Sequence, residues 1–448
     1  MQLQMRAAAA RWSERLQPLF PLPAPPRLSK KWTIPAYLFA FAVLTGVILA
    51  RQSGVTALNS IWAEDGAVYY HAAITGSFWS TLTDYNGYIE LFPRLAIQVV
   101  RPFPVRDVAA IIAVFGAASL SALALLIFYA SSGHVRSPAA RALFVGAIVL
   151  LPLATGELLN NLVNFPWWLF FATFWLLLWR PATVAGAVLA GVVCFLASAS
   201  DPLVGLMLPV AIARIVALPQ VRNQLATFGF FLGLIVQVIA VSTVGQSGRS
   251  MSSPGGSLWA IAKLFSFRVG LGWLTGAQLS GKLRHSWMGP TLGVLLFVAV
   301  IAVAFLVGDR SLRLLGIFAG FLSLVIFAVE VWTRGVAAEM TGAPISLGSR
   351  YAAVPQLLLL SVVLAIASQW KPRSVDFKDV AGPLLCFLLL VPAWLIDVND
   401  KNPRFRGPEW STEVAKASTA CRVSHSGEVP LGTAPPGWVV KVPCRLLQ

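Results

Sequence analysis

Two carboxylates stand side by side in "NSIWAEDGAVYYHAAITGSF", residues 59–78. Glu64 and Asp65 fall shortly after a long apolar run. The stretch that follows, "SFWSTLTDYNGYIELFPRLAIQVVRPFPV", interleaves Trp79, Tyr85, Tyr88 and Phe92 with Asp84, Arg94, Arg101 and Arg106. A carboxylate so placed can take a proton from a hydroxyl as its oxygen attacks an electrophilic carbon. Aromatic rings beside polar groups suit sugar faces, which makes Trp62 and Tyr88 candidates for substrate contact. The same rings are ordinary anchors at a membrane–water interface. For the acids, the plain alternative is a helix start, where negative charge is favoured.

Other polar groups recur where apolar runs end. Glu157, Asn160, Asn161 and Asn164 follow one run, and Asp201 separates two others. Ionisable groups at membrane depth are costly and usually functional, so Glu157, Asn161, Asn164 and Asp201 are candidate substrate ligands. Asp201 also reads as a cap before Pro202. "ISLGSRYAAVPQ" sets Arg350 and Tyr351 at the mouth of a late run. A guanidinium there can hold a phosphate through two parallel hydrogen bonds, or simply snorkel to the interface. Arg94, Arg268 and Arg334 are further candidates for the same phosphate. His71, His134, His285 and His425 lie far apart and lack metal-ligand spacing.

These groups must be positioned by a chain of 448 residues that is 57% hydrophobic and 12% charged, with mean hydropathy +0.75. Soluble domains carry roughly 25% charged residues, so the composition is that of a polytopic membrane protein. The net charge of +16 is scattered over short loops. That scatter, without zinc-finger or RNP-type spacing, points to anionic lipids and phosphates and away from nucleic acid. Of the four cysteines, Cys194 and Cys386 fall in apolar runs, whereas Cys421 and Cys444 lie in a polar tail and can bridge in an oxidising compartment.

Apolar runs near 32–50, 108–130, 141–158, 166–180, 183–200, 202–217, 224–244, 289–308, 312–332, 351–369 and 380–397 predict an all-α bundle of about eleven spans. Lysine and arginine in the short connections place the N-terminus inside. The expected organisation is a basic, proline-rich cytoplasmic tail over 1–31 and a membrane domain over 32–397. Long outer segments fall at 51–107 and 245–288, and an extracytoplasmic tail at 398–448. Amphipathic interfacial helices are expected in the outer loops, with Trp259, Phe265, Phe267 and Trp273 alternating with Lys263 and Arg268. Val439, Val440 and Val442 predict a short strand, and a Cys421–Cys444 bridge would tie the tail into a small lobe.

A long first outer loop with an acidic motif just after span one resembles the GT-C type of polytopic glycosyltransferases. That group includes protein mannosyltransferases, lipid A aminoarabinose transferases and mycobacterial arabinosyltransferases. "WAEDG" followed later by "GSRY" is also similar to stretches of glycosyltransferase-like bacterial membrane proteins. The resemblance covers residues 32 to about 397 in general layout. It implies a plasma-membrane enzyme that transfers a sugar from a polyprenyl-phosphate donor to a cell-envelope glycan or lipid on the outer face. Asp65 or Glu64 would be the base, and the departing phosphate would meet arginine or a divalent cation, Mg or Mn, held by carboxylates. The chain departs from the group in lacking a large folded C-terminal domain. Two other readings stand beside it. An O-antigen ligase or polymerase would use Arg268, Arg284 and His285, and a transporter or flippase of lipid-linked sugars would show polar groups near the midplane.

Overall fold

The computed structural model describes residues 11–25, 29–78, 85, 87–152, 154–243, 255–342, 348–370, 378–398, 401–424 and 427–447. Trp79, Asp84 and His425, singled out above, lie outside them. The chain is mostly helical. Its principal helices are α1 (Lys30–Ala50), α2 (Leu91–Val100), α3 (Val108–Ala130), α4 (Pro138–Val149), α5 (Phe165–Leu178), α6 (Val184–Ser198), α7 (Leu208–Ala217) and α8 (Val221–Thr243). There follow α9 (Leu258–Phe265), α10 (Gly272–Leu283), α11 (Met288–Val307), α12 (Arg310–Thr333), α13 (Arg350–Gln369), α14 (Lys378–Asp397) and α15 (Trp410–Ser424). The chain closes on an antiparallel hairpin of β1 (Glu428–Thr433) and β2 (Trp438–Pro443).

Among the described residues, seven helices are long and apolar enough to cross a bilayer: α1, α3 with its flanking turns, α8, α11, α12, α13 and α14. The runs at 141–158, 166–180, 183–200 and 202–217 give shorter apolar helices instead. Local chemistry cuts them short. Pro152 follows the end of α4, Arg180–Pro181 ends α5, and the Asp201–Pro202 pair separates α6 from α7.

Side-chain contacts sort the helix ends into two groups. At one end, the Arg214 guanidinium near the close of α7 donates to the carbonyls of Leu177 and Trp179 at the close of α5. Arg136, after α3, lies 4.0 Å from Asp309, the cap of α12. Arg141, Arg180, Arg222 and Arg310 fall at this same basic end. At the other end, Arg51, just after α1, donates to the carbonyls of Val149 and Leu151 after α4. Gln237, late in α8, exchanges hydrogen bonds with the backbone of Ile89.

The core follows from composition. Every residue of α5, "FPWWLFFATFWLLL", is buried, as a helix apolar on all faces must be. Around it pack α3, α4, α6 and α13, the last also largely enclosed. By contrast α1 turns Ile34, Leu38, Phe39 and Val43 outward. In the second long segment, Trp259 is exposed as an interfacial residue would be, but Phe265, Phe267 and Trp273 are buried. Phe265 meets Phe297 and Phe327 at ring distances of 5.1 and 5.7 Å. That segment is a folded part of the bundle and does not lie along its surface.

The first loop and the C-terminal tail form one lobe with its own core. Tyr69, Tyr70, Ile97, Val105 and Ile112 pack with Trp410, Leu431, Val440 and Val442. Ala63 and Ala434 are hydrogen-bonded across the junction, through Ala63 N–H to Ala434 C=O and Ala434 N–H to Ile61 C=O. The Trp410 indole donates to the Val105 carbonyl at 2.7 Å. Cys421 and Cys444 are joined by a disulfide, with their Cα atoms 5.3 Å apart.

Candidate functional site

Beneath this lobe, at the end of the bundle opposite the Arg214 cluster, lies a cleft with about 440 Å³ of empty space. It is built by chain ends. The first loop contributes Glu64, Tyr85, Tyr88 and Glu90, and the start of α5 contributes Asn164, Pro166 and Trp167. Ser200 and Asp201 enter after α6, Arg334 after α12, and Arg350 opens α13. Glu64, Arg334 and Arg350 are half-buried and reachable, whereas Glu90 and Asp201 are buried.

The neighbouring carboxylates Glu64 and Asp65 have different fates. Glu64 faces the cleft. Asp65 is fully buried, and its two oxygens accept the backbone N–H groups of Leu162 and Val163 at 2.9 and 2.8 Å. Successive side chains on a helical backbone point about 100° apart, and Glu64, with helical φ and ψ, precedes Asp65 at the start of the turn Asp65–Tyr70. Burial pushes the Asp65 carboxyl up to about 7, against the pull of those two N–H donors and of Arg404.

The arginines are held by a network of rings and acids. Arg350 Nε lies 3.7 Å from Glu157 Oε2, and Arg350 donates to the Tyr351 hydroxyl at 3.2 Å. Arg334 sits over the rings of Trp167 and Tyr351, at 5.9 and 5.6 Å, and hydrogen-bonds Tyr88. Burial works to depress the Arg334 guanidinium, but Tyr88, Tyr351 and Asp201 outweigh it and hold it above its ordinary value. Glu157 also accepts the Gly348 N–H at 3.2 Å, so it fixes the approach to α13 and does not line the cleft itself.

The asparagines shape the turn between Glu157 and α5. The side-chain amides of Asn161 and Asn164 both donate to the Glu157 carbonyl, at 2.5 and 2.8 Å. Asn160 carries φ +56°, a left-handed conformation that asparagine tolerates better than most residues. Only Asn164 of the group reaches the cleft. Asp201 lines the cleft and caps the turn at Pro202 by accepting the Leu203 N–H at 2.8 Å, as its place before a proline suggested.

The remaining candidates lie elsewhere. Trp62 is buried under the Arg404 guanidinium, 4.9 Å from its centre, at the seam with the hairpin. Arg94 is buried beside Glu90, over the Tyr69 ring at 5.3 Å. Arg268 is fully buried and donates to the Met340 carbonyl at 3.3 Å. Burial pushes it down to about 10, with Glu157 opposing. Arg284 and His285 bond one another at an exposed turn and do not line the cleft.

The sequence reading passed over Glu90, Ser200 and Arg404. The Glu90 carboxyl accepts a hydrogen bond from the Tyr69 hydroxyl. Burial pushes it well above the usual carboxylate range, against Arg94 and helped by Asp201 and Glu64. Its one sequence signal is an acid inside the apolar run "YIELF". Among the described residues, no group of three or more His, Cys, Asp or Glu side chains is gathered for a metal ion. No protein-family model matches the chain, and comparison with curated proteins gives no match.

Proposed function

We propose that the protein is an inverting membrane glycosyltransferase of GT-C layout. It would move a sugar from a polyprenyl-phosphate donor to a cell-envelope glycan or lipid on the outer face of a bacterial plasma membrane. The observation that carries this reading is the shared cleft, where the Glu64 carboxylate and the Arg334 and Arg350 guanidiniums line one opening. The acceptor oxygen attacks the anomeric carbon while its proton passes to Glu64. The bond from that carbon to the phosphate oxygen breaks, and its electron pair leaves with the phosphate. Arg334 and Arg350 neutralise that charge, with Tyr351 holding the two guanidiniums in place. Trp167, Tyr85 and Tyr88 offer rings to the sugar.

Glu64 is the better base of the two adjacent acids, because both Asp65 oxygens are already committed to backbone donors. No resident metal is needed in this scheme, since the guanidiniums take the phosphate charge. Four of the shorter apolar helices, α4 to α7, run between the same two ends as the long ones. Counted as crossings they give eleven spans, the odd number that puts the first loop and the C-terminal lobe on one side. The arginine-rich opposite end then faces the cytoplasm.

The test is transfer from a set of polyprenyl-phosphate sugars by the purified protein. Glu64→Gln should lower the rate by about 10²- to 10⁴-fold with no change in thermal stability. Full activity in Glu64→Gln would end the assignment.

A further inference from the structure

A second cavity lies at the arginine-rich end of the bundle, with about 1150 Å³ of empty space. It shares no lining residue with the cleft. Its walls are α1, the last turns of α3 and the outer face of α6. Both α1 and α3 belong to segments long and apolar enough to cross a bilayer. Leu125, Leu126, Phe128 and Leu189 make the lining apolar, and the polar groups are few. Chief among these is Arg141, which is 7% exposed, donates to the Phe128 carbonyl at 3.3 Å and stacks on the Phe128 ring at 4.5 Å. The Tyr37 and Tyr129 side chains also enter the lining, and the Tyr37 hydroxyl lies within electrostatic reach of Tyr129 and of Arg141.

We propose that this cavity is a binding site for an anionic phospholipid of the bilayer. A cavity walled by spanning helices opens onto acyl chains, so its natural occupant is a lipid tail. The guanidinium fixed at its polar end, with Arg136 and Arg180 in the adjoining connections, selects a negatively charged headgroup. The lipid would bind across the antiparallel pair α1 and α3, which meet through the Tyr37–Phe128 ring contact in the cavity wall and, farther along, through the Thr45–Ser121 hydrogen bond. It would thereby tie the sparsely packed α1 to the bundle. The site is independent of the glycosyl-transfer reading, because it needs only the membrane-spanning helices.

The experiment is native mass spectrometry of the full-length protein released from mixed micelles of phosphatidylglycerol and phosphatidylcholine. The wild type should retain phosphatidylglycerol about fivefold over phosphatidylcholine, the preference expected for one arginine near a headgroup. Arg141→Gln should bring the two lipids to parity. Leu189→Trp, which fills the cavity from an exposed position and leaves the fold intact, should lose the bound lipid altogether. Equal retention of both lipids by the wild type would overturn the proposal, as would unchanged retention in Leu189→Trp. If undecaprenyl phosphate added to the micelles displaced phosphatidylglycerol, and Leu189→Trp abolished its retention, the site would belong to that lipid and the proposal would fall.

Discussion

Asp65 and Arg404 grip the same turn from opposite sides. The Asp65 carboxylate accepts the N–H groups of Leu162 and Val163, while the Arg404 guanidinium donates to the carbonyls of Leu159 and Asn160 at 2.8 and 3.0 Å. One residue comes from the first loop and the other from the C-terminal tail. The turn they hold leads into α5, whose first residues wall the cleft. A buried backbone turn outside regular structure leaves donors and acceptors that must be met, and these two charged side chains meet them.

The clamp predicts a stability defect where the active-site reading of Asp65 predicts a rate defect. Asp65→Asn puts an amide N–H against a backbone N–H and should cost about 1–3 kcal/mol. The apparent Tm in detergent should fall, and the transfer rate of the folded fraction should stay within a few-fold of wild type. An unchanged Tm together with a large loss of rate would return Asp65 to the catalytic role.

The same carboxyl makes stability depend on pH. Asp65 titrates near 7 in the folded protein, above the ordinary value of about 3.9 for an unfolded chain. The folded state therefore keeps the proton over an interval in which the unfolded chain has lost it. That contribution is complete below the unfolded value and disappears as pH rises through about 7. The Tm advantage of wild type over Asp65→Asn should accordingly shrink between about pH 4 and about pH 7. A gap that widens with pH would contradict the burial assigned to Asp65.

The disulfide fastens α15 to the end of the hairpin, closing a sequence separation of 23 residues. Cys421→Ser should destabilise the lobe by about 2–4 kcal/mol and hasten proteolytic nicking within 410–447. In the intact, non-reduced protein neither thiol should react with an alkylating agent. Alkylation of both cysteines before reduction would show that the bridge is absent.

Gly66 reports on how closely the lobe's halves approach. A Cβ at this position would lie 2.7 Å from the Thr433 Cγ2 atom and 3.2 Å from that of Ile61. Gly66→Val should therefore push the hairpin away from the first loop and lower Tm, whereas Gly46→Ala, with nothing within 4 Å of the new carbon, should be silent. Equal tolerance of both substitutions would mean the halves are not packed as described.

Helical, membrane-crossing character was legible because hydrophobicity is written into every run. Helix ends were legible where proline or a charged pair marks them, as at Asp201–Pro202. One shorter helix was less visible, because the apolar run at 141–158 continues past Pro152 whereas α4 ends at Val149. The sequence also brought Glu64, Asp65, Arg350 and Asp201 into consideration, but it could not divide their roles. Whether a carboxylate faces a cleft or a backbone turn depends on which distant segment arrives beside it. Arg404, far along the chain from Asp65, left no local mark of that meeting. Phe265 and Trp273 read as interfacial because aromatic–basic alternation looks the same in an interfacial helix and in one covered by α11 and α12.

The most direct test is to determine the structure of the protein with undecaprenyl phosphate bound. The phosphate should lie in the cleft within hydrogen-bonding distance, about 2.7–3.2 Å, of the Arg334 or Arg350 guanidinium, with Glu64 facing the open side where an acceptor would enter. A phosphate bound away from both arginines, or a cleft closed to it while the lipid sits elsewhere, would contradict the account.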